Sequence, residues 1–372
     1  MEIRIEKKPL AGILAHAAKV SAKRAGMVAL ETVKLEAMPD GRVVVSATDL
    51  ELGYTHSTAA KSSKPDALLV DAKVFADVVR AAPTDEVHLE RKGNVLVVRS
   101  GKSTWRLAIA DAALFPGVDA GKAERFLDCA KHDLRVAIRR VLYAVSDVET
   151  RHALCGVLFE PHEGRLVLVA TDGHRMAKDE LEEGSAPSRD GWIQAPVIVP
   201  SKGVEELLRL LDENSGAGSL GMTGSALVCQ HEGVRLSVRL IDGRYPAWRD
   251  VWREGAMVLE VPRVPFLATL RRMTILGDAT KAMRLTIEGG VVTLSRTDPD
   301  KGESVEEVEP VRAPDFTARI GFAGAYMREA CDSFSGETVE LMLGDELHPI
   351  VVRDPGAKVI GQHGAIIMPM RV

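Results

Sequence analysis

The chain has 372 residues, 46% hydrophobic and 27% charged, which is the balance of a globular protein with ample core and room for two or three domains. No apolar run approaches the ~20 residues of a membrane helix, and Glu2, Arg4 and Glu6 stand where a secretory signal would be apolar, so neither a span nor secretion is expected. Cys129, Cys155, Cys229 and Cys331 form no CxxC pair, so they read as free thiols of a reducing cytoplasm, with no zinc framework.

Elements recur in chain order. Apolar residues at helical spacing (Leu10, Ile13, Leu14, Ala17, Ala18) predict a first helix. A strand over Val33 to Ala37, a turn at Pro39-Asp40-Gly41 and a second strand ending in Val45-Ser46-Ala47-Thr48-Asp49 follow. A second helix covers Phe75 to Ala82, and strand-like Leu107-Ala108-Ile109 leads to Phe115-Pro116.

The same order then returns. Leu134, Ile138, Val141, Leu142 and Val145 predict a helix. A strand from Val157 to Glu160, a turn at His162-Glu163-Gly164 and the phrase Leu168-Val169-Ala170-Thr171-Asp172 come next. A helix over Val204 to Leu211, Leu236-Ser237-Val238 and Tyr245-Pro246 complete the second copy. The third copy has Phe266, Leu267, Leu270 and Met273, then Arg284 to Glu288, Gly289-Gly290, Leu294-Ser295-Arg296-Thr297-Asp298, and a helix from Ala325 to Phe334. Asp49, Asp172 and Asp298 are 123 and 126 residues apart, close to a third of the chain. Internal periodicity outranks any local motif, so the chain reads as three copies of one α+β domain, two helices against antiparallel strands.

Charge is uneven. The net charge is −5, yet the first helix of each copy is basic: Lys7, Lys8, Lys19, Lys23 and Arg24, then Lys131, Arg135, Arg139 and Arg140 against Asp133, then Arg263, Arg271 and Arg272. One such helix is ordinarily a solvated face with long charged stems. Recurrence in all three copies suits phosphate contacts, which give affinity without reading sequence.

Several motifs suggest catalysis and fail on context. Gly216-Ala217-Gly218-Ser219-Leu220-Gly221 follows a helix and precedes a strand, the reverse of a dinucleotide site. Gly101-Lys102-Ser103 lacks the first glycine of a phosphate loop, which would fall at Leu96. Asp172, His174 and Arg175 could be imagined as an acid–base set. No nucleophile, metal cluster or cofactor fingerprint accompanies them, and Asp49 and Asp298 lack the histidine. An aspartate shared by all copies is expected to fix a turn by bonding backbone N–H groups. No catalytic residue, metal or cofactor is assigned. An enzyme acting on nucleic acid through Asp172 and His174 is the rival class.

Val169-Ala170-Thr171-Asp172-Gly173-His174-Arg175-Met176-Ala177 resembles a signature of the bacterial DNA polymerase III beta subunit family, the sliding clamps. Ile241-Asp242-Gly243-Arg244-Tyr245-Pro246, Val199-Pro200-Ser201-Lys202-Gly203-Val204 with Glu206-Leu207, Ser46-Ala47-Thr48-Asp49-Leu50-Glu51, and Ile367-Met368-Pro369-Met370-Arg371-Val372 fit the same family, in order, along the whole chain. The resemblance implies three clamp domains (1–122, 123–253 and 254–372) and a head-to-tail homodimer closing a six-domain ring around double-stranded DNA. It implies a non-catalytic, cytoplasmic processivity factor that tethers the polymerase III catalytic subunit, the clamp loader, and other polymerases and repair proteins through short linear motifs. A specialised second copy with altered partners or inhibitor sensitivity is the alternative within the family.

By position in the family, the partner-peptide pocket comprises Arg151, Leu154, Thr171, Gly173, His174, Arg175, Met176, Pro246, Val251, Tyr326 and Pro349, with Ile366, Ile367, Met368, Pro369, Met370, Arg371 and Val372. Its apolar residues suit a trough and its methionines an adaptable one. His174, Arg175 and Arg371 are expected to fix polar ends of a peptide. Asp250 stands where relatives often carry a basic residue, and Met176 replaces a commoner leucine. DNA contacts fall on Arg24, Lys73, Arg135, Arg139 and Lys202, while His152 and Ala153 occupy the place of a DNA-touching aromatic pair. The dimer seam joins Lys102, Trp105, Arg106 and Leu107 to Ile275, Leu276, Glu303, Glu306, Glu307 and Glu309, with opposite charges around an apolar patch setting the register.

Overall fold

The computed structural model describes residues 1–22, 26–62, 64–118, 126–129, 131–181, 193–213, 218–253, 255–275, 282–315, 317–356 and 363–371. Arg24, Leu276 and Val372 lie outside them. The helices are α1 (Lys7–Val20), α2 (Ala72–Ala81), α3 (Lys131–Leu142), α4 (Ser201–Glu213), α5 (Trp248–Val251), α6 (Arg263–Met273) and α7 (Gly324–Asp332). Apart from the single turn of α5, these are the two helices expected in each copy.

All six begin where a strand ends: Glu2–Glu6, Phe126–Cys129 and Met257–Pro262 lead into α1, α3 and α6, and Asp66–Asp71, Val197–Pro200 and Ala318–Ala323 into α2, α4 and α7. The strand-to-helix switch is abrupt because φ/ψ changes within one residue; at α2, Asp71 caps it by accepting from the Val74 N–H at 2.7 Å. The helices are amphipathic as their spacing requires. Leu10, Ile13, Leu14, Ala17 and Val20 of α1 are buried, and so are Phe266, Leu267, Leu270 and Met273 of α6. Each large apolar side chain so buried contributes about 1.5–3 kcal/mol.

The chain divides into two compact units. The first comprises Met1–Lys131, Gly191–Ile193 and Glu205–Leu240; the second comprises His132–Asp190, Gln194–Val204 and Ile241–Val372. The middle copy thus contributes to both, and sheet pairing explains why. In the first unit Leu52–Ala59 of the first copy pairs antiparallel with Val234–Arg239 of the second, Leu52 opposite Val238, inside a 13-stranded sheet. In the second unit Arg175–Leu181 pairs with Gly364–Ile367 of the third copy, Arg175 opposite Ile367, inside an 8-stranded sheet. A 4-stranded sheet in the order Gly302–Val308, Val291–Asp298, Ala282–Glu288, Ala318–Ala323 completes the second unit. Backbone ladders join the copies, so the compact units do not end at the sequence repeat.

The expected hairpin turns are present, with Gly41, Gly164, Gly289 and Gly290 all at positive φ. The Gly101-Lys102 pair is a two-residue hairpin: Ser100 faces Ser103, and Gly101 has φ 55. Among the described residues no helix is long and apolar enough to cross a membrane, and no cluster of His, Cys, Asp or Glu could hold a metal ion.

Candidate peptide-binding groove

The turn after Ala170 organises this site. Asp172 Oδ1 accepts the backbone N–H groups of His174 at 2.8 Å and Arg175 at 3.0 Å, while Oδ2 takes Arg175 Nε at 3.0 Å. The Thr171 hydroxyl donates to the Arg175 carbonyl at 2.6 Å and accepts from Gly173 N–H at 3.1 Å. Gly173 has φ 91, a conformation glycine adopts without a Cβ penalty. The aspartate is therefore a turn-fixer, as expected from its recurrence, with both oxygens engaged. Asp172 and His174 form no acid–base pair.

Arg175 is committed inside the protein. Its guanidinium lies 4.5 Å from the Tyr326 ring centroid and 5.5 Å from that of Tyr143, and it bridges Asp172 and Glu329. Its side chain is 13% exposed. Arg175, expected to fix a peptide end, also makes contacts within the protein, to two rings and two carboxylates. These tie the turn to α7 and to Tyr143, the residue after α3. Burial, with Asp172 nearby, pushes the Tyr326 hydroxyl above its usual pKa range.

The floor is one apolar cluster. Met176, Leu158, Val167, Val169, Ile198, Trp248, Met342, Val351 and Ile366 are buried together, with Ala153, Ile241, Tyr245, Trp252 and Met368 packed against them. Leu154, Thr171, Pro349, Ile366 and Ile367 are buried. They shape the groove from beneath; Thr171, Ile366 and Ile367 do so from strands paired on both sides or at their ends, Leu154 from a 3-10 turn and Pro349 from the segment before Ile350–Arg353. The surface belongs to Pro246, Val251 and Met370, which are exposed, and to Met368 and Pro369, which are half-buried. The Met368 N–H donates to the His174 carbonyl at 2.9 Å and Met370 N–H to Gly321 O at 2.8 Å, so the C-terminal segment is laid along the turn. His174 and Arg371 are exposed, and Arg151 donates to the Asp172 carbonyl at 3.3 Å.

Three contributors were missed in the sequence. Trp248 donates its indole N–H to Glu160 at 3.0 Å, Arg249 Nη1 reaches both oxygens of Glu160 at 2.9 Å, and Arg249 stacks 4.2 Å from the Trp248 ring. Together they hold α5, which presents Val251. The tryptophan beside a Tyr-Pro pair was the available signal.

Models of the DNA polymerase III beta subunit match this chain three times: the N-terminal domain at residues 1–119, the central domain at 128–247 and the C-terminal domain at 252–371. The beta sliding clamp of Salmonella typhimurium is 30% identical over 340 residues, 90% of each chain. The chain belongs to the DNA polymerase III beta subunit family. The beta sliding clamp of Caulobacter vibrioides is 29% identical over 385 residues, with both chains fully covered. Among solved structures, the DnaN sliding clamp of Bartonella birtlesii bound to griselimycin superposes with a TM-score of 0.93 at 28% identity, and the Pseudomonas aeruginosa sliding clamp with ligand at 0.91 and 26%, each covering both chains completely.

The other family positions are placed as follows. Lys73 on α2, Arg139 on α3 and Lys202 on α4 are exposed, and Arg135 on α3 is half-buried. Part of the basic character of the first helices is spent internally. Arg140 pairs with Asp179 at 3.3 Å, Arg263 donates to Gly336 O at 2.7 Å, and Arg272 pairs with Glu306 at 2.6 Å. Strand alternation turns Ser304, Glu306 and Val308 toward α6, and the hydrogen-bonded Arg272 guanidinium holds the Glu306 carboxyl below its usual range. Glu303 and Glu307 are exposed on the opposite face with Val305, and Glu309 is also exposed. Ile275 is 77% exposed. On the other expected face Lys102 and Arg106 are exposed, Trp105 is half-buried and Leu107 is buried.

Proposed function

We propose that the chain is a replicative sliding clamp: a head-to-tail homodimer that encircles double-stranded DNA in the cytoplasm and tethers the polymerase III catalytic subunit, the clamp loader and other polymerases and repair proteins. The observation that carries this reading is the chain-long match to three consecutive beta-subunit domains, combined with the exposed apolar residues Pro246, Val251 and Met370 and the C-terminal segment laid along the Thr171–Arg175 turn. The domains are read as 1–122, 123–253 and 254–372. The chain performs no chemistry; processivity is topological, since a closed ring leaves DNA by opening or by reaching an end.

Lys73, Arg135, Arg139 and Lys202 supply weak phosphate contacts that permit sliding. Val251, Met368 and Met370, with His174 and Arg371 at the rim, receive a short linear peptide, and methionine adapts to different partners. Tethering raises the effective polymerase concentration at the template without tight binding. Two strand edges support the dimer. Gly302–Val308 is the last strand of its sheet, and Ser103–Asp111 pairs with Asp66–Asp71 only through Ile109 to Asp111. Head-to-tail pairing of such edges must close, or it would grow into a filament.

The test is topological. The protein is loaded on nicked circular DNA with its clamp loader, salt is raised, and half the sample is linearised. Retention on circles with loss from linear DNA is the expected result; equal loss from both overturns the ring.

A further inference from the structure

The turn that organises the groove is built twice. In the first copy Thr48 donates to Leu52 O at 2.7 Å and accepts from Leu50 N–H at 3.0 Å, and Asp49 Oδ1 accepts from Glu51 at 3.0 Å and Leu52 at 2.7 Å. These match the bonds made by Thr171 and by Asp172 Oδ1 one for one; only the Asp172 Oδ2 bond to Arg175 Nε has no counterpart, since Leu52 stands at that position. Leu50, with φ 77, stands where Gly173 has φ 91. The chain leaving the next copy crosses both turns alike: Arg239 N–H donates to Glu51 O at 2.8 Å, as Met368 does to His174 O at 2.9 Å. Phe115-Pro116 precedes Val118 here as Tyr245-Pro246 precedes Trp248 there.

The surroundings differ in chemistry. Gly53 replaces Met176, and a Cβ on Gly53 would lie 2.4 Å from Val118 Cγ1, so Val118 supplies the floor that Met176 and Trp248 supply at the groove. A cavity of about 190 Å³ remains, lined by Leu50 and Val118 with Thr48, Glu51, Ser225 and Arg239 among its polar groups. Leu50 is 55% exposed, an expensive place for a leucine in a left-handed turn. Glu51 and Arg239 are exposed at the same cavity.

We infer that this is a second peptide site, for a short extended segment carrying one apolar side chain between a basic and an acidic residue. The apolar side chain packs on Leu50 and Val118. The acidic residue meets Arg239 and the Ser225 hydroxyl, and the basic residue meets Glu51. The cavity takes one side chain, whereas ligand pockets commonly exceed about 300 Å³, so the site is an accessory contact with a Kd of about 1 mM. It gains strength only in partners already held at the main groove, where effective concentration reaches the millimolar range. The inference rests on the groove reading, because it takes its occupant from the equivalence of the two turns.

The test is methyl NMR of the full chain with three blocked probes: acetyl-Lys-Leu-Asp-amide, acetyl-Asp-Leu-Lys-amide and acetyl-Gln-Leu-Asn-amide. Griselimycin, bound by the Bartonella birtlesii clamp and taken as a groove ligand under the proposed function, is titrated separately and read at the Val251 and Met370 methyls. Saturable shifts of the Leu50 and Val118 methyls by a charged probe, at least tenfold weaker in Arg239→Ala and in Glu51→Gln, are expected. No shift, shifts equal for the neutral probe, or shifts unchanged in both variants overturn the second site. Griselimycin shifts at Val251 and Met370 in the same sample would leave the groove standing in that event; their absence, with saturable shifts at Leu50 and Val118, would overturn the groove reading and leave the second site supported by its own binding alone.

Discussion

Glu160 holds Trp248 and Arg249 at once, receiving the indole N–H at 3.0 Å and the guanidinium at 2.9 Å on each oxygen. Helix α5 is a single turn and cannot stabilise itself. Its orientation, and with it the position of Pro246 and Val251, therefore depends on this carboxylate. Glu160→Ala leaves a buried indole donor without its acceptor, a cost of about 1–3 kcal/mol. Binding of a labelled short linear peptide at the proposed groove, followed by fluorescence, is expected to weaken about tenfold, with Glu160→Gln intermediate because an amide oxygen still accepts from Trp248. Wild-type affinity in Glu160→Ala would show that α5 is held by other contacts.

Arg175 is a structural tie as well as a family pocket position. Stacked on Tyr326 and Tyr143 and paired with Asp172 and Glu329, it fastens the turn to α7 and to the residue after α3. Lysine keeps the charge but loses the planar fork and the stacking. Arg175→Lys is expected to lower unfolding free energy by roughly 1–2 kcal/mol, since the ring stacking and the second hydrogen-bonding arm are lost while the charge remains. Urea unfolding measures this; a change below 1 kcal/mol would mean the cluster re-forms around the ammonium.

The repeat, both helices of each copy and the hairpin turns were legible because they are local patterns: a 3.6-residue period, glycine at positive φ, and an aspartate bonding its own turn. The groove's exposed residues were legible only in part. Strand alternation decides whether Glu303 or Glu306 faces outward, and that register comes from the pairing of Gly302–Val308 with Val291–Asp298, not from composition. The division of the middle copy was illegible for the same reason. It follows from two ladders between residues more than 180 positions apart, Leu52 with Val238 and Arg175 with Ile367.

His363 makes stability depend on pH. It is buried against Phe334, its Nδ1 donates to Lys178 O at 3.0 Å, and its Nε2 is left to accept from Ser333 at 2.7 Å. Burial first, then Arg140 and Lys178, push its pKa down to about 3. An unfolded histidine titrates near 6.5, so between those values the unfolded chain binds the extra proton. Stability is therefore complete above about pH 6.5 and falls as pH drops toward 3, by at most about 1.4 kcal/mol per unit. His56, pushed to about 4 mainly by burial, adds the same sign over pH 4 to 6.5. Melting temperature is expected to fall from pH 7 to pH 5, with a shallower slope in His363→Gln; parallel slopes would assign the acid sensitivity elsewhere.

The dimer seam offers the sharpest test of the ring. Gly302–Val308 ends its sheet and turns Glu303, Val305 and Glu307 outward, while Ile275 stands 77% exposed. An exposed edge with alternating apolar residues is a template for pairing, and natural proteins seldom leave one uncovered. The edge proposed as its complement, Ser103–Asp111, carries Trp105 and Arg106, with Lys102 in the turn before it. Charges of opposite sign at the two rims act on association rate and register more than on affinity, whereas the apolar centre supplies the free energy. Ile275→Asp places a carboxylate in that centre and costs about 2–4 kcal/mol per interface, so sedimentation at micromolar concentration is expected to show monomers. Glu303→Lys with Glu307→Lys is expected to slow association and remove its salt dependence while leaving dimers at high concentration. If Ile275→Asp still sediments as a dimer and the charge reversal changes nothing, the seam lies elsewhere and the ring cannot close through these two edges.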